Sequence, residues 1–439
     1  MQANVASTPH LRRIGGVVTI ASLAVILFAT LLPASGQPVA SHFCLLCGTV
    51  GGVDFILNVL LFVPLGVGLA LCGFPANRAI LMMSILSISI ETAQLLVIPG
   101  RDATIGDVLT NTLGGALGFA ASRYARTCLR PSPRNATSFI VGWAVIWLAI
   151  QTISSFSFAP SIPESKYFGQ LAPSLGDYAV FHGRVLTARV DGVVIPNTAL
   201  ADSRNLQRLL LNGATVATTV VPAKATRDIA PILRVADAEQ REIVLLAQND
   251  VDLLFAVHSG AAALRLRPPL FALPQVFPKG VIEGLTRADT LAVTGRYVAS
   301  EVRMRARSAS ETHRSLVPLT ASMGWTLVLP WQWFIEGTHA ELVITWIWVA
   351  CLALPFGYWA AYAAGPSRNQ NDAWHRMLIW PAVVAILYGG LALGPYAFGL
   401  AVPPISEWLA ASAAILLGAG LAARFAERTA STKRDDQIP

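Results

Sequence analysis

Charge is what this chain has least of. Only 13% of its 439 residues are Asp, Glu, Lys or Arg, against 54% hydrophobic, and a mean hydropathy of +0.56 does not suit a soluble protein. Runs rich in Lys and Arg with interleaved aromatics are missing, so the net charge of +7 does not mark a nucleic-acid binder, and no nucleic acid is expected as a partner. The five cysteines lack the repeated spacing of a disulfide scaffold. The seven histidines are scattered without metal-ligand spacing, so neither a metal nor a cofactor is expected. A nucleophile elbow and a phosphate loop are missing too.

What charge there is lies unevenly. Of the 57 charged residues, 31 fall between Pro160 and Glu311, a water-facing block set between two apolar regions. Before the block, apolar runs at 14–32, 53–72, 79–98, 105–121 and 139–158 each approach the roughly 20 residues that cross a bilayer. Runs at 341–364, 377–393 and 405–423 follow it.

Lys and Arg collect in cytoplasmic loops. Arg12 and Arg13, then Arg78, then Arg123, Arg126, Arg130 and Arg134 are therefore inside, while the loop 33–52, free of Lys and Arg, is outside. The block emerges on the outer side. Arg368 and Arg376, and later Arg424, Arg428, Lys433 and Arg434, return the chain to the inside. Parity then requires that 316–334, with two prolines and Trp325, Trp331 and Trp333, lie in the interface without crossing. Arg101 is the exception, forced outside in a short turn, and is a candidate for function on that ground.

Within the block, 214–221, 229–235, 242–247, 252–257 and 291–298 alternate apolar and polar residues, which is strand periodicity. The expected fold is a polytopic α-helical membrane protein of about eight transmembrane helices with an inserted all-β sandwich. Its regions are 1–159 with five helices, 160–311 as the extracytoplasmic sandwich, and 312–439 with the interfacial segment and three helices. Both termini are expected in the cytoplasm. Sandwiches of this kind often present a concave face or rim loops to carbohydrate.

Three neighbouring spans each carry a carboxylate and an amide. Asp54 and Asn58 lie one helical turn apart and are followed by Phe62, Pro64 and Gly66; Glu91 and Gln94 share a face; Asp107 and Asn111 open a stripe continued by Gly114 and Gly118. Ionisable groups inside a span need a partner or a task. Asp54, Glu91, Arg101 and Asp107 are the candidates for acid–base work or anion binding, and Asn58, Gln94 and Asn111 for substrate contacts. Structural roles stand beside these. Asp107 has capping-box spacing from Thr104, Asp54 suits the positive end of its helix, the amides suit interhelical hydrogen bonding, and Glu91 could simply pair with Arg101. Cys44 and Cys47 suit a local loop staple in an oxidising compartment, with incidental thiols as the next reading; redox exchange lacks a surrounding thioredoxin-like pattern. Arg265 and Arg267, alternating on an expected strand, could meet an acidic sugar or form a solvated edge.

The ordered set Asp54, Asn58, Phe62, Pro64, Gly66, Glu91, Gln94, Arg101, Asp107, Asn111, Gly114 and Gly118 resembles the VanZ-like family over roughly the first 125 residues. The stretch from Leu245 to Phe255, with Leu264 to Arg267, is similar to laminin-G or concanavalin-like strands. The VanZ resemblance implies a bacterial cytoplasmic-membrane protein of the cell envelope, in a family named for resistance to the glycopeptide antibiotic teicoplanin. It does not imply a settled reaction. A further echo is internal: Pro355 and Gly357 repeat the spacing of Pro64 and Gly66, and Glu407 with Gly418 that of Asp107 with Gly118.

The leading reading is an envelope protein that engages a lipid-linked glycan or polysaccharide from the outer leaflet, with membrane lipids as its surroundings. A proton-coupled carrier using Asp54, Glu91 and Asp107, and a non-catalytic glycan sensor, are the alternatives. Whether the protein is an enzyme is open at this stage.

Overall fold

The computed structural model describes residues 9–33, 44–100, 103–176, 178–222, 225–278, 290–365 and 373–435. The chain divides into two compact units, one built on Met1–Phe139 and the other on Ile140–Ala361 with Ser367–Phe425.

The first unit consists of α1 (Pro9–Leu31), α2 (Gly51–Leu71), α3 (Ala76–Val97), α4 (Ile105–Arg123) and the short α5 (Ala125–Leu129), with the start of α6 (Pro133–Phe158). Its apolar centre joins Ile26, Phe62, Leu65, Leu69, Met83, Ile90 and Phe119 from all four long helices. The glycines set its closest approach. A Cβ at Gly66 would overlap the carbonyl of Gly115, one at Gly114 the carbonyl of Val59, and one at Gly118 the carbonyl of Val63, so α2 and α4 lie backbone to backbone. Cys44 and Cys47 form a disulfide, the staple that their spacing suggests.

In the second unit the chain leaves α6 and builds two six-stranded sheets. Its strands are β1 (Phe168–Leu171), β2 (Arg184–Val190), β3 (Val193–Val194), β4 (Thr215–Val221), β5 (Thr226–Ala236), β6 (Glu242–Asp250), β7 (Asp252–Val257), β8 (Leu270–Leu273), β9 (Leu291–Val298), β10 (Glu301–Arg307), β11 (Thr312–Pro318) and β12 (Phe334–Ile335). One sheet runs β1-β5-β6-β7-β8-β12 and the other β11-β10-β9-β4-β2-β3, antiparallel except for the β8–β12 pair. They pack face to face. Phe271 of β8 meets Tyr297 of β9 with ring centroids 5.7 Å apart, and Gly295 of β9 leaves room for the ring of Phe255 of β7. The Tyr297 hydroxyl donates to the carbonyl of Phe158, the last residue of α6, at 2.6 Å. Between β3 and β4 stands an amphipathic helix, α7 (Ser203–Leu211), which strand periodicity could not announce; it buries Leu206 and Leu210 and is capped by Asp202. Then follow α8 (His339–Ala363), α9 (Ala373–Ala397) and α10 (Ile405–Asp435).

Several expectations need adjustment. Among the described residues seven helices are long and apolar enough to cross a membrane. The eighth expected span, α4, forms as a helix but carries Asp107, Thr110, Asn111, Thr112 and four glycines, and so falls short on apolarity. The β region does not stop at Glu311, because β11 adds an edge to the second sheet and β12 to the first. The stretch 316–334 therefore ends one strand, forms a buried 3-10 turn at Ala321–Leu327 and enters another strand. Two of its three tryptophans turn their N–H groups inward, Trp325 donating to Thr345 at 3.0 Å and Trp333 to Glu341 at 2.8 Å, while Trp331 is exposed. Arg265 and Arg267 are not on a strand. They follow a short 3-10 turn, and Arg267 donates to the carbonyls of Leu329 and Pro330.

The internal echo has a geometric counterpart. A Cβ at Gly357 of α8 would overlap the carbonyl of Ile415, and one at Gly418 of α10 the carbonyl of Leu354. Val63, Pro64 and Gly66 correspond to Leu354, Pro355 and Gly357, and Asp107, Gly115 and Gly118 to Glu407, Ile415 and Gly418, with one constant shift for each helix. The α2–α4 contacts therefore recur at the matching positions of α8 and α10.

Candidate functional site

The polar residues of the first unit converge where α3 ends and α4 begins. Thr104 is the N-cap of α4: its Oγ1 accepts from the backbone N–H of Asp107 at 3.1 Å, as the capping-box spacing predicts. The reciprocal half of a capping box is diverted. The backbone N–H of Thr104 donates to Glu91 Oε2 at 2.9 Å, while the Asp107 carboxylate takes the Thr104 hydroxyl at 2.8 Å. One threonine thus holds two carboxylates from two helices. On the other side Asn58 of α2 donates to Asp107 Oδ1 at 2.6 Å, a charge-assisted bond that completes a chain across α2, α4 and α3.

One helical turn further into α4, Asn111 donates to Ser87 Oγ at 3.0 Å. Asn111 is 2% exposed, and its Oδ1 has no hydrogen-bond partner among the described residues. An amide oxygen buried without a donor is costly. Gln94 is spent differently, donating to the carbonyl of Thr30 at 2.8 Å and so tying α3 to α1. Asp54 is exposed in the first turn of α2. Arg101 lies outside the described residues, and so does any Glu91–Arg101 pair.

Above the cluster, the backbone N–H of Gly106 donates to the carbonyl of Cys44 at 3.2 Å, and a Cβ at Gly106 would overlap the carbonyl of Leu45. The disulfide loop is therefore seated on the first turn of α4. Of the expected residues, the structure joins Asn58, Glu91 and Asp107 into one network and places Asn111 beside it. Thr104 and Ser87 were not legible as members. Thr104 read only as a cap and Ser87 as one serine in an apolar run, and only their contacts reveal the role. Among the described residues no three His, Cys, Asp or Glu side chains gather to hold a metal.

Seven span-length helices, an inserted pair of packed sheets and a buried carboxylate–amide network define a multi-pass helical membrane protein with a β domain. Residues 7–126, which hold that network, match the family model VanZ/LLP1, so this stretch is a VanZ-like domain. No curated protein and no solved structure matches the chain.

Proposed function

We propose that the protein acts in the bacterial cell envelope, engaging a lipid-linked or headgroup-bearing glycan from the outer leaflet through the network at the start of α4. The observation that carries this reading is the pair of carboxylates held by Thr104 beside the unpartnered Asn111 Oδ1. Glu91 and Asp107 would work as acid and base on a phosphate or sugar linkage, with Asp54 and Arg101 as further candidates, and Asn111 would accept a donor of the substrate. Asn58 holds Asp107, and Gln94 holds α3 against α1, so both act by positioning. The middle sandwich, read as concanavalin-like, would recognise the glycan.

The Cys44–Cys47 bridge supports an outer location for this end of the bundle, since such bridges persist in oxidising compartments. With the VanZ-like stretch it supports a cytoplasmic-membrane protein whose termini are inside, with a link to glycopeptide resistance. Two carboxylates held by one threonine, Asp107 and Glu91, are also what a proton-coupled carrier would use, with Asp54 as its third group. The purified protein in lipid vesicles, supplied with polyprenyl-linked saccharide, separates the two. Turnover of the linked sugar supports the leading reading, and substrate-driven proton flux without turnover replaces it.

A further inference from the structure

The register of the second sheet places seven exposed arginines on its outer face: Arg184 and Arg189 on β2, Arg296 on β9, Arg303, Arg305 and Arg307 on β10, and Arg314 on β11. Arg303 stands directly opposite Arg296, and Arg305 directly opposite Arg314. Like charges opposed across strands destabilise a sheet, so the arrangement calls for an anion. Among the strand residues of that face the acid is Glu301, which pairs with Arg303. Edge protection does not account for the rest, because β9 and β10 are interior strands. Between the arginines the same face carries Thr187, Thr215, Thr219, Thr294 and Thr312, and it bears no lysine. Arginine matches carboxylate and phosphate with two parallel hydrogen bonds, which a lysine does not.

We propose that this face binds an extended polyanion, a polymer bearing closely spaced carboxylates or phosphates, with the arginines taking the charges and the threonines the hydroxyls. The inference is independent of the membrane network. The test uses the full-length protein in neutral phosphatidylcholine nanodiscs, titrated with fluorescent polygalacturonate, inorganic polyphosphate and neutral dextran. One or both polyanions should bind with an affinity that falls steeply as salt rises, and dextran should not. The variant R303Q/R305Q/R307Q/R314Q should lose about tenfold or more in affinity. The variant R204Q/R208Q/R227Q/R265Q, with the same charge removed from elsewhere on the block, should keep its affinity. Equal loss in both variants, no polyanion binding, or a preference for anionic vesicles over both polymers would overturn the proposal.

A second inference rests on the repeated glycine contacts. In the first unit the hydroxyl on the carboxylate of the fourth helix comes from Thr104, and the position matching it in α10 is Pro404, which has none. The Asn58 and Asn111 positions are matched by Val349 and Ala411. Only the carboxylate survives, as Glu407, and it is reached from the inserted region by the hydroxyl of Thr320 at 3.4 Å, with Ser322 beside it. Leu319 next to it accepts from the backbone N–H of Ala401, in the segment leading into α10, while Cys44 accepts from Gly106 in the first turn of α4.

We infer that α8 and α10 repeat the α2–α4 pair of the first unit without its polar network, and that Glu407 anchors the β insert. Limited proteolysis of the 311–338 stretch in the detergent-solubilised protein, beside the vesicle assay, tests this. Glu407→Ala and Thr320→Val should each speed cleavage there, with the double variant no faster than either single one, and vesicle function per folded molecule should be unchanged. Asp107→Asn should do the reverse. Unchanged cleavage in Glu407→Ala, or loss of vesicle function without faster cleavage, would overturn the anchor. A silent Asp107→Asn beside a loosened Glu407→Ala would reject the membrane-site reading alone.

Discussion

The backbone N–H of Thr104 donates to the carboxylate of Glu91 across 13 residues of chain, at 2.9 Å. In an ordinary capping box that N–H would go to Asp107, three residues on. Releasing Asp107 to the Thr104 hydroxyl and to Asn58 makes one network of three helices. Thr104→Val should therefore do more than weaken a cap. It should cost about 1 kcal/mol of stability, in the usual range for a lost N-cap, and reduce vesicle function beyond the loss of folded protein, while Thr104→Ser should retain both. Function that simply follows abundance in Thr104→Val would reduce the residue to a cap.

The glycine contacts make a packing prediction with an internal control. Gly118→Val drives a side chain into the Val63 carbonyl and should destabilise the protein by about 1 to 3 kcal/mol, seen as a lower melting temperature in detergent. Gly142→Val, which meets nothing within 4 Å, should change stability by less than about 0.5 kcal/mol.

The helices and strands were largely legible because their signals are local. The strand periodicity at 252–257 and 291–298 gives the limits of β7 and β9 as they stand. Thr312–Pro318 reads as a boundary in the sequence because its outer positions carry Arg314 and exposed Leu316 and it ends on Pro318. The site was half legible. Asp107, Asn58 and Glu91 stand out as polar groups in apolar runs, whereas Thr104 and Ser87 are ordinary residues whose value comes from the partner brought to them.

The disulfide loop gives a test of sidedness. Maleimide applied outside intact cells should label Cys44 and Cys47 only after reduction, and C44S/C47S should lower stability by about 2 kcal/mol for so short a loop. Labelling from the cytoplasmic side alone would reverse the topology. Reporter fusions after Pro160 and after Gly365 should report opposite sides.

Acid should loosen the sandwich in two stages. For Asp237, burial would raise the carboxyl, but the hydrogen bonds and charge of Arg241 outweigh it and hold the group below its ordinary value of 3.8. Burial pushes His258 below its ordinary value of 6.5, against the carbonyl of Ser161. A depressed histidine is neutral in the fold, so the unfolded chain takes up its proton first and stability falls as pH drops through about 6.5. The contribution of Asp237 is present above about 3.8 and is lost as pH falls further, through its folded value. The melting temperature of the β region should be flat from about pH 8 to 7 and fall as pH drops below about 6.5, and His258→Gln should flatten that fall. An unchanged slope in the variant would assign it to other groups.

The most direct test of the proposed site is Glu91→Gln. Glutamine keeps an oxygen to accept from the N–H of Thr104 while removing the charge, so the four-helix unit should insert and accumulate normally. Vesicle function and any envelope phenotype should be abolished, with Asn111→Ala milder and Arg101→Gln alike. Wild-type function in a well-expressed Glu91→Gln protein would contradict the site and leave its carboxylate as a structural partner of Thr104.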